Sequence, residues 1–260
     1  MVSKETSASE PLLSSVNNAL RILGRFTVEE PEKRVTDLAQ ELGLGKSTVS
    51  RLLSTLAEDG YVQKDPESQK FRLGLRILTL NSVVVSNLEV NREARPFLKN
   101  LVKETSEAAH IALLEENDVV YVEQIECPHP VRILSYVGRR NPIHCTSSGK
   151  VLLAFQKEER IKDLLNSKLV KYTSNTITDP ILLLNQLKEI KSKEFCMSVN
   201  EYLDGVISFS APIRNYHGKV IAAVSLVGPL SRITGSAIAT CSNKIIRAAK
   251  DISQSLGYMR

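Results

Sequence analysis

Two short amphipathic runs separated by a glycine constrain this chain more than any other feature. Val35, Leu38, Ala39 and Leu42 recur at i, i+3, i+4 and i+7, and Val49, Leu52, Leu53 and Leu56 repeat that spacing beyond Gly43. Apolar residues at this period cover one face of a helix and leave the other polar. The spacing predicts two short helices joined by a tight turn, with Gly43 ending the first and Lys46-Ser47-Thr48 beginning the second. Thr36 is the expected N-cap of the first, and Asp37 in its opening turn suits the helix dipole. A helical run from Val16 to Phe26 precedes the pair. YVQKDPESQKFRLG follows it, two alternating segments around the turn-forming Asp65-Pro66-Glu67-Ser68. Three helices and a hairpin, in that order, make a winged helix-turn-helix.

GLGKST within this stretch also reads as the end of a phosphate-binding loop. That motif needs a glycine at position 40, where Gln40 stands, and a strand before it, where an amphipathic helix is expected. Without that glycine the backbone cannot aim successive amides at phosphates. As a DNA-reading helix the same residues are well placed. Ser47, Ser50, Arg51 and Ser54 lie opposite the apolar stripe, with Lys46 and Thr48 at the start. Small hydroxyls permit close approach to a groove, Arg51 can reach a guanine edge or a phosphate, and Lys46 suits a backbone phosphate. Lys64, Lys70 and Arg72 of the hairpin can follow phosphates beside the groove.

Bulk charge does not carry that reading. The chain has a net charge of +5, yet residues 1–75 hold ten Lys or Arg against eleven Asp or Glu, a balance of −1. Only local placement argues for nucleic acid. With 260 residues, 42% hydrophobic and 24% charged, two ordinary soluble domains are expected. The most apolar stretch, Leu75 to Leu88, is broken by Arg76, Asn81 and Ser82, so no membrane partner is expected. The first fifteen residues lack an apolar signal core; residues 1–14 read as a disordered tail and the protein as cytoplasmic. Cys127, Cys145, Cys196 and Cys241 form no CxxC pair, against a disulfide framework or a zinc knuckle. Cys127 and His129 set against His144 and Cys145 are the one metal-like grouping, and their spacing is not that of zinc ligands. No metal or cofactor is expected.

Beyond residue 90 the period changes. After a helical Arg92–Thr105, the runs HIALLEE, VVYVEQIE and VRILSYV are short and β-rich. Helices are expected over Gly149–Phe155, Glu158–Ser167, Ile181–Lys193 and Ser236–Leu256, and strands over GVISFSAPI and KVIAAVSLVG around a turn at Asn215 to Gly218. The fold class is therefore α+β in two domains, the second with a largely antiparallel sheet. The expected limits are 15–75 for the winged helix-turn-helix, 76–90 for a linker helix and 91–260 for the second domain.

At this point the chain resembles the IclR-type transcriptional regulators. The resemblance runs through TDLAQELGLGKSTVSRLLSTLAEDGYV and KFRLGLRIL, then VVYVEQIE, VGRRNPIHCTSSGKVLLAF, YTSNTITDP, GVISFSAPI and VSLVGPLSRIT, in the family's order. It implies a GAF/PAS-like effector domain that binds a small organic molecule, often a keto acid, sugar acid or aromatic acid. It also implies double-stranded operator DNA as partner and a homodimer or dimer of dimers acting as repressor or activator. Pocket positions carried over from the family are Ile143, Ser147, Ser148, Gly149, Ser208 and Ser225, with Gly149 offering backbone N–H groups near a helix start. Ile207 stands where relatives have Arg, Val227 where a second Ser is common, and Ser198-Val199-Asn200-Glu201 where many have an acidic run. These departures imply an altered ligand preference.

Ser147-Ser148-Gly149-Lys150 satisfies S-x-x-K, and Ser198-Val199-Asn200 mimics a companion element of β-lactamase-like enzymes, but no K-T-G follows. A helix start with serine caps and a surface lysine is the plainer account. His110, His129, His144 and His217 lack partners at catalytic spacing, so no catalytic residue and no enzyme is expected. The rival of another class is a sensory or enzymatic α/β domain whose N-terminal part serves only protein association.

Overall fold

The computed structural model describes residues 13–130 and 135–259. Residues 1–12 of the expected tail and the first four residues of the VRILSYV run lie outside them. The chain divides into two compact units between Asn87 and Leu88.

In the first unit, α1 (Ser14–Leu23), α2 (Val35–Leu42) and α3 (Lys46–Glu58) enclose a core of Ile22, Leu38, Val49 and Leu53, closed by Val62 and Phe71 of the hairpin. Gly43 ends α2 at φ 66°, a left-handed conformation that costs glycine little. The cap at the other end differs from expectation. Arg34, not Thr36, is the N-cap, and the Asp37 carboxylate accepts the Arg34 N–H at 3.1 Å, while Thr36 donates its hydroxyl to Asp37. Helix α2 starts two residues early because Val35 belongs to its first turn. Strands β1 (Val62–Lys64) and β2 (Phe71–Leu73) pair antiparallel. Asp65 closes their turn, accepting the Glu67 and Ser68 amides at 3.1 and 2.6 Å. Those amides hold its carboxyl below the usual carboxylate range. Lys33 bridges to Phe71 through both backbone groups, tying the hairpin to the segment before α2. Helix α4 (Arg76–Ser86) follows, and none of its residues is buried.

The second unit contains α5 (Glu89–Thr105), β3 (Ala108–Glu115), β4 (Asp118–Ile125), β5 (Arg140–Pro142), α6 (Ser147–Ala154), α7 (Glu158–Leu165) and α8 (Pro180–Lys193). It continues with β6 (Cys196–Val199), β7 (Val206–Arg214), β8 (Val220–Pro229) and α9 (Ser236–Ser255). Its six strands form one antiparallel sheet in the order β5-β4-β3-β8-β7-β6. Strands β5 and β6 were not anticipated. They are the two edges, three and four residues long, too short to show an alternation. Ser135 to Val137, the described end of VRILSYV, are not in a strand.

The period-2 alternation of the long strands separates two unlike faces. Ala109 and Ile111 of β3, Ile207, Phe209, Ala211 and Ile213 of β7, and Ala222, Val224 and Leu226 of β8 bury one face against α5 and α9. The opposite face mixes apolar and polar groups. Ala112, Val119, Tyr121 and Ala223 pack with α6 and α8, while His110, Ser210 and Ser225 lie abreast on neighbouring strands.

A buried ion pair fastens the β8–α9 connection. Arg232 donates to both oxygens of Glu107, at 2.5 and 2.6 Å, and Gly228 leaves room for that carboxylate, since a Cβ there would meet Glu107 Oε2 at 2.6 Å. Glu107 is buried, whereas the Arg232 side chain retains 29% exposure and can regain water. The charge left behind decides the cost of breaking the pair. Arg232→Ala is expected to lose about 3 kcal/mol or more of stability, and Glu107→Gln less. Chemical denaturation of the two variants measures the difference, and equal losses would contradict the asymmetry.

Candidate ligand cavity and nucleic-acid interface

On the polar side of the second unit's sheet lies a cavity of ≈ 60 Å³. Its wall comes from separate elements: Tyr121 of β4, Arg139 and Asn141 at β5, Cys145 to Ser147 at the start of α6, Ser198 of β6, Glu201 and Tyr202 of the β6–β7 loop, and Ser208 of β7. Among the described residues, Arg139 and Glu201 are the charged ones of the lining.

Helix α6 begins at this wall. Thr146 is its N-cap, accepting the Gly149 N–H at 3.2 Å and donating to the Pro142 carbonyl at 2.9 Å. The Gly149 amide is thus taken up by the cap, which leaves the first two helical amides, Ser147 and Ser148, without intrahelical partners. Gly149 is required for contact. A Cβ there would lie 2.2 Å from the Ile143 carbonyl oxygen. The Ser147 and Ser210 hydroxyls are 2.8 Å apart, which ties α6 to β7.

Of the six positions carried over from family resemblance, Ser147 and Ser208 line the cavity. Ile143 is in the apolar cluster behind α6, Ser148 and Gly149 are buried in its first turn, and Ser225 sits one strand inside, beside Ser210 and His110.

Lys150 corrects an expectation. It is fully buried rather than a surface residue. Its ammonium donates to Glu201 Oε1 at 2.5 Å and to Gln186 of α8 at 3.1 Å. An ammonium removed from water needs a countercharge and saturated hydrogen bonds, and Glu201 supplies the charge. Ser198 donates to the same Glu201 oxygen at 2.9 Å. The Glu201 backbone is fixed too: its carbonyl accepts from Thr176 at 2.6 Å and Thr173 at 3.3 Å, both in the YTSNTITDP loop. Asn200 precedes it at φ 55°, with its side chain accepting the Gly205 N–H at 2.7 Å. Arg139 and Asn141 escaped sequence reasoning because β5 is too short to assign a face, and Tyr121 because nothing local to β4 marks which of its faces meets the cavity. Lys150 escaped because its partner lies 51 residues away.

Ionisation in this layer follows burial. Burial, with Arg139 as the lesser cause, pushes the His110 imidazole down to about 3; the ring stacks on Tyr121 at 4.5 Å and meets the Ser135 hydroxyl. Burial pushes the Cys145 and Cys196 thiols up to about 12 and about 11, far from the thiolate form that a nucleophile or metal ligand requires. Among the described residues no group of three or more His, Cys, Asp or Glu could hold a metal ion. None of their helices is long and apolar enough to cross a membrane.

In the first unit, Val49 and Leu53 of α3 point into the core, and Lys46, Ser47, Thr48, Ser50 and Arg51 are exposed. Ser54 and Thr55 turn their hydroxyls back onto the Ser50 and Arg51 carbonyls at 3.0 and 3.2 Å. On the hairpin, Lys64 and Arg72 are exposed and Lys70 is half-buried; Arg72 donates to Gln63 at 3.2 Å.

The family model for the IclR helix-turn-helix domain matches residues 15–66, and that for the bacterial transcriptional regulator IclR C-terminal domain matches residues 82–254. The chain belongs to the IclR family. It is 32% identical to the HTH-type transcriptional regulator XynR of Escherichia coli K12, over 95% of this chain and 99% of that one. An IclR transcriptional regulator from Alicyclobacillus acidocaldarius superposes with a TM-score of 0.84 at 27% identity, covering 95% and 100% of the two chains. An IclR homolog from Microbacterium hydrocarbonoxydans, solved in complex with 4-hydroxybenzoate, gives 0.82 at 27% identity over 94% and 99%. IclR-family proteins are DNA-binding transcriptional regulators with a C-terminal effector domain, and these relatives are regulators, not enzymes. The S-x-x-K match in α6 is therefore the start of a structural helix.

The buried His110 gives this IclR regulator a measurable acid sensitivity. Below the ordinary histidine value of 6.5 the unfolded chain takes up a proton that the folded chain refuses until about 3. Stability then falls as pH drops through that window, by at most roughly 1.4 kcal/mol per pH unit from this group. His110→Gln is expected to show a smaller loss of urea midpoint between pH 6.5 and 5 than wild type. Parallel curves would exclude the effect.

Proposed function

We propose that this IclR-family protein is a cytoplasmic homodimer, or dimer of dimers, whose operator affinity is set by a small carboxylate held in the cavity of the second unit. The observation that carries the ligand class is the pairing of Arg139 with the start of α6 in one wall. A guanidinium and unshared helix N-terminal amides together favour an anion. At ≈ 60 Å³ the cavity is small beside the several hundred Å³ typical of drug-sized sites, which selects for a compact acid. Ser147 and Ser208 supply polar contacts, with Ile143, Ser148, Gly149 and Ser225 shaping the layer behind them. The 4-hydroxybenzoate bound by the Microbacterium homolog is also an acid.

On the DNA side, α3 enters the major groove with Ser47, Thr48, Ser50 and Arg51 at the bases and Lys46 at a phosphate, while Lys64, Lys70 and Arg72 follow the backbone. The winged domain spans 15–75, a linker helix 76–90 and the effector domain 91–260. Dimer symmetry calls for a roughly palindromic operator. A second copy accounts for α4, whose Leu78, Val83 and Val84 are exposed, and for Val16 and Leu20 on α1. The effector changes operator affinity only by the difference in its own affinity for the DNA-competent and DNA-incompetent arrangements.

Three outcomes are expected. In a random-sequence enrichment with the full chain, a salt-sensitive site emerges, and Arg51→Ala weakens binding to it by about 1–3 kcal/mol while relaxing one base position. Unchanged affinity and preference would remove Arg51 from the reading set. Compact carboxylates raise the melting temperature, and Arg139→Gln abolishes that shift. Val84→Glu, on an exposed face, leaves the helical content intact but lowers the molecular weight measured by sedimentation equilibrium. An unaltered weight would place the subunit contact elsewhere.

A further inference from the structure

The cavity wall holds a carboxylate whose two oxygens have unequal surroundings. Glu201 is 7% exposed. Its Oε1 accepts from Lys150 at 2.5 Å and from Ser198 at 2.9 Å, whereas its Oε2 is buried without a hydrogen-bond partner. A buried carboxylate oxygen left unpaired costs free energy and calls for a reason. Mobility does not supply one. The Glu201 carbonyl is pinned by Thr173 and Thr176, Asn200 is fixed by its contact with Gly205, and Lys150 holds the carboxylate itself. The acceptor is therefore preorganised, and the lysine that holds it has no access to water.

We infer that Glu201 Oε2 is the specificity-determining acceptor of the cavity, reading a hydroxyl donated by the effector. This rests on the proposal that the cavity takes a compact acid, whose carboxylate faces Arg139 and the α6 amides. The effector is then a small hydroxy acid, with the hydroxyl turned toward Glu201. An analogue lacking the hydroxyl leaves Oε2 unpaired, and a keto acid sets a carbonyl oxygen against a carboxylate oxygen, which is repulsive. A site built to accept a hydroxyl rejects analogues lacking it far more strongly than an apolar pocket rejects a missing methylene.

Glu201→Gln exchanges an acceptor for a donor at this position. Lys150 and Ser198 both donate, so the glutamine carbonyl must take the place of Oε1 and its amide nitrogen the place of Oε2. The acceptor becomes a donor, and the preferred ligand changes from hydroxy acid to keto acid. The test titrates the full-length protein with lactate, 3-hydroxypropionate, glycerate, propionate and pyruvate, read by calorimetry and thermal shift. In wild type at least one hydroxy acid is expected to bind ten-fold or more tightly than propionate, with pyruvate no better than propionate. In Glu201→Gln that advantage disappears and pyruvate gains. If the variant does not fold, the wild-type series alone decides. Equal binding of hydroxylated and unhydroxylated acids to wild type, or an unaltered preference in a folded Glu201→Gln, overturns the role of Glu201. Failure of every acid to bind wild type instead overturns the acid-binding cavity beneath it.

Discussion

The ion pair between Lys150 and Glu201 is the contact on which the cavity side of the second unit depends. Lys150 projects from α6, Glu201 sits in the loop between β6 and β7, and Gln186 brings α8 into the same cluster. Neither charge could remain buried alone, so the two segments must meet for either to be tolerated. That requirement positions the start of α6 and the Glu201 carboxylate in one cavity wall. Replacing the pair by apolar groups of equal volume would leave a packed domain. It would also remove the one carboxylate in the lining among the described residues.

The sheet makes such a site possible by keeping its two faces chemically distinct. Between β7, β8 and β3, cross-strand neighbours on the α5/α9 side are aliphatic or Phe, and that face carries most of the hydrophobic burial. A full apolar face frees the other from the same duty. There His110, Ser210 and Ser225 form a buried polar row, bonded in part to Ser135 and Ser147. A one-residue slip in register would exchange the faces and bury the serines under α9, so the register of the central strands also fixes the site.

What could be read from sequence followed from period, and what could not followed from distance along the chain. The stripes Val35–Leu42 and Val49–Leu56 located α2 and α3, and the alternation in GVISFSAPI and KVIAAVSLVG located β7 and β8, because each pattern repeats within one element. Strands β5 and β6 have no room for a pattern, and they exist because longer strands pair with them. The cap of α2 was misassigned to Thr36 because its hydroxyl is a good capping group. The backbone instead turns at Arg34, where Asp37 reaches back to the N–H. Lys150 looked like any helix-start lysine until Glu201 was brought to it. Cavity residues contributed by separate elements carry no local mark, and only the order of familiar segments pointed to that part of the chain.

The same distinction between local and bulk properties explains how a first domain with no net positive charge can present a basic candidate reading face. Several of its acids have structural partners: Glu30 and Glu41 hold the buried Lys33, Asp37 accepts an N–H at the start of α2, and Asp65 accepts two in the hairpin turn. Lys46, Arg51, Lys64 and Arg72 take part in no ion pair among the described residues. Their field is therefore available to a phosphate, although basic and acidic residues balance over the domain. Such a surface has little long-range attraction for DNA in general and depends on a few close contacts. On the proposed reading of α3, non-specific binding is weak for the same reason, and discrimination falls to groups such as Arg51 that can reach a base edge.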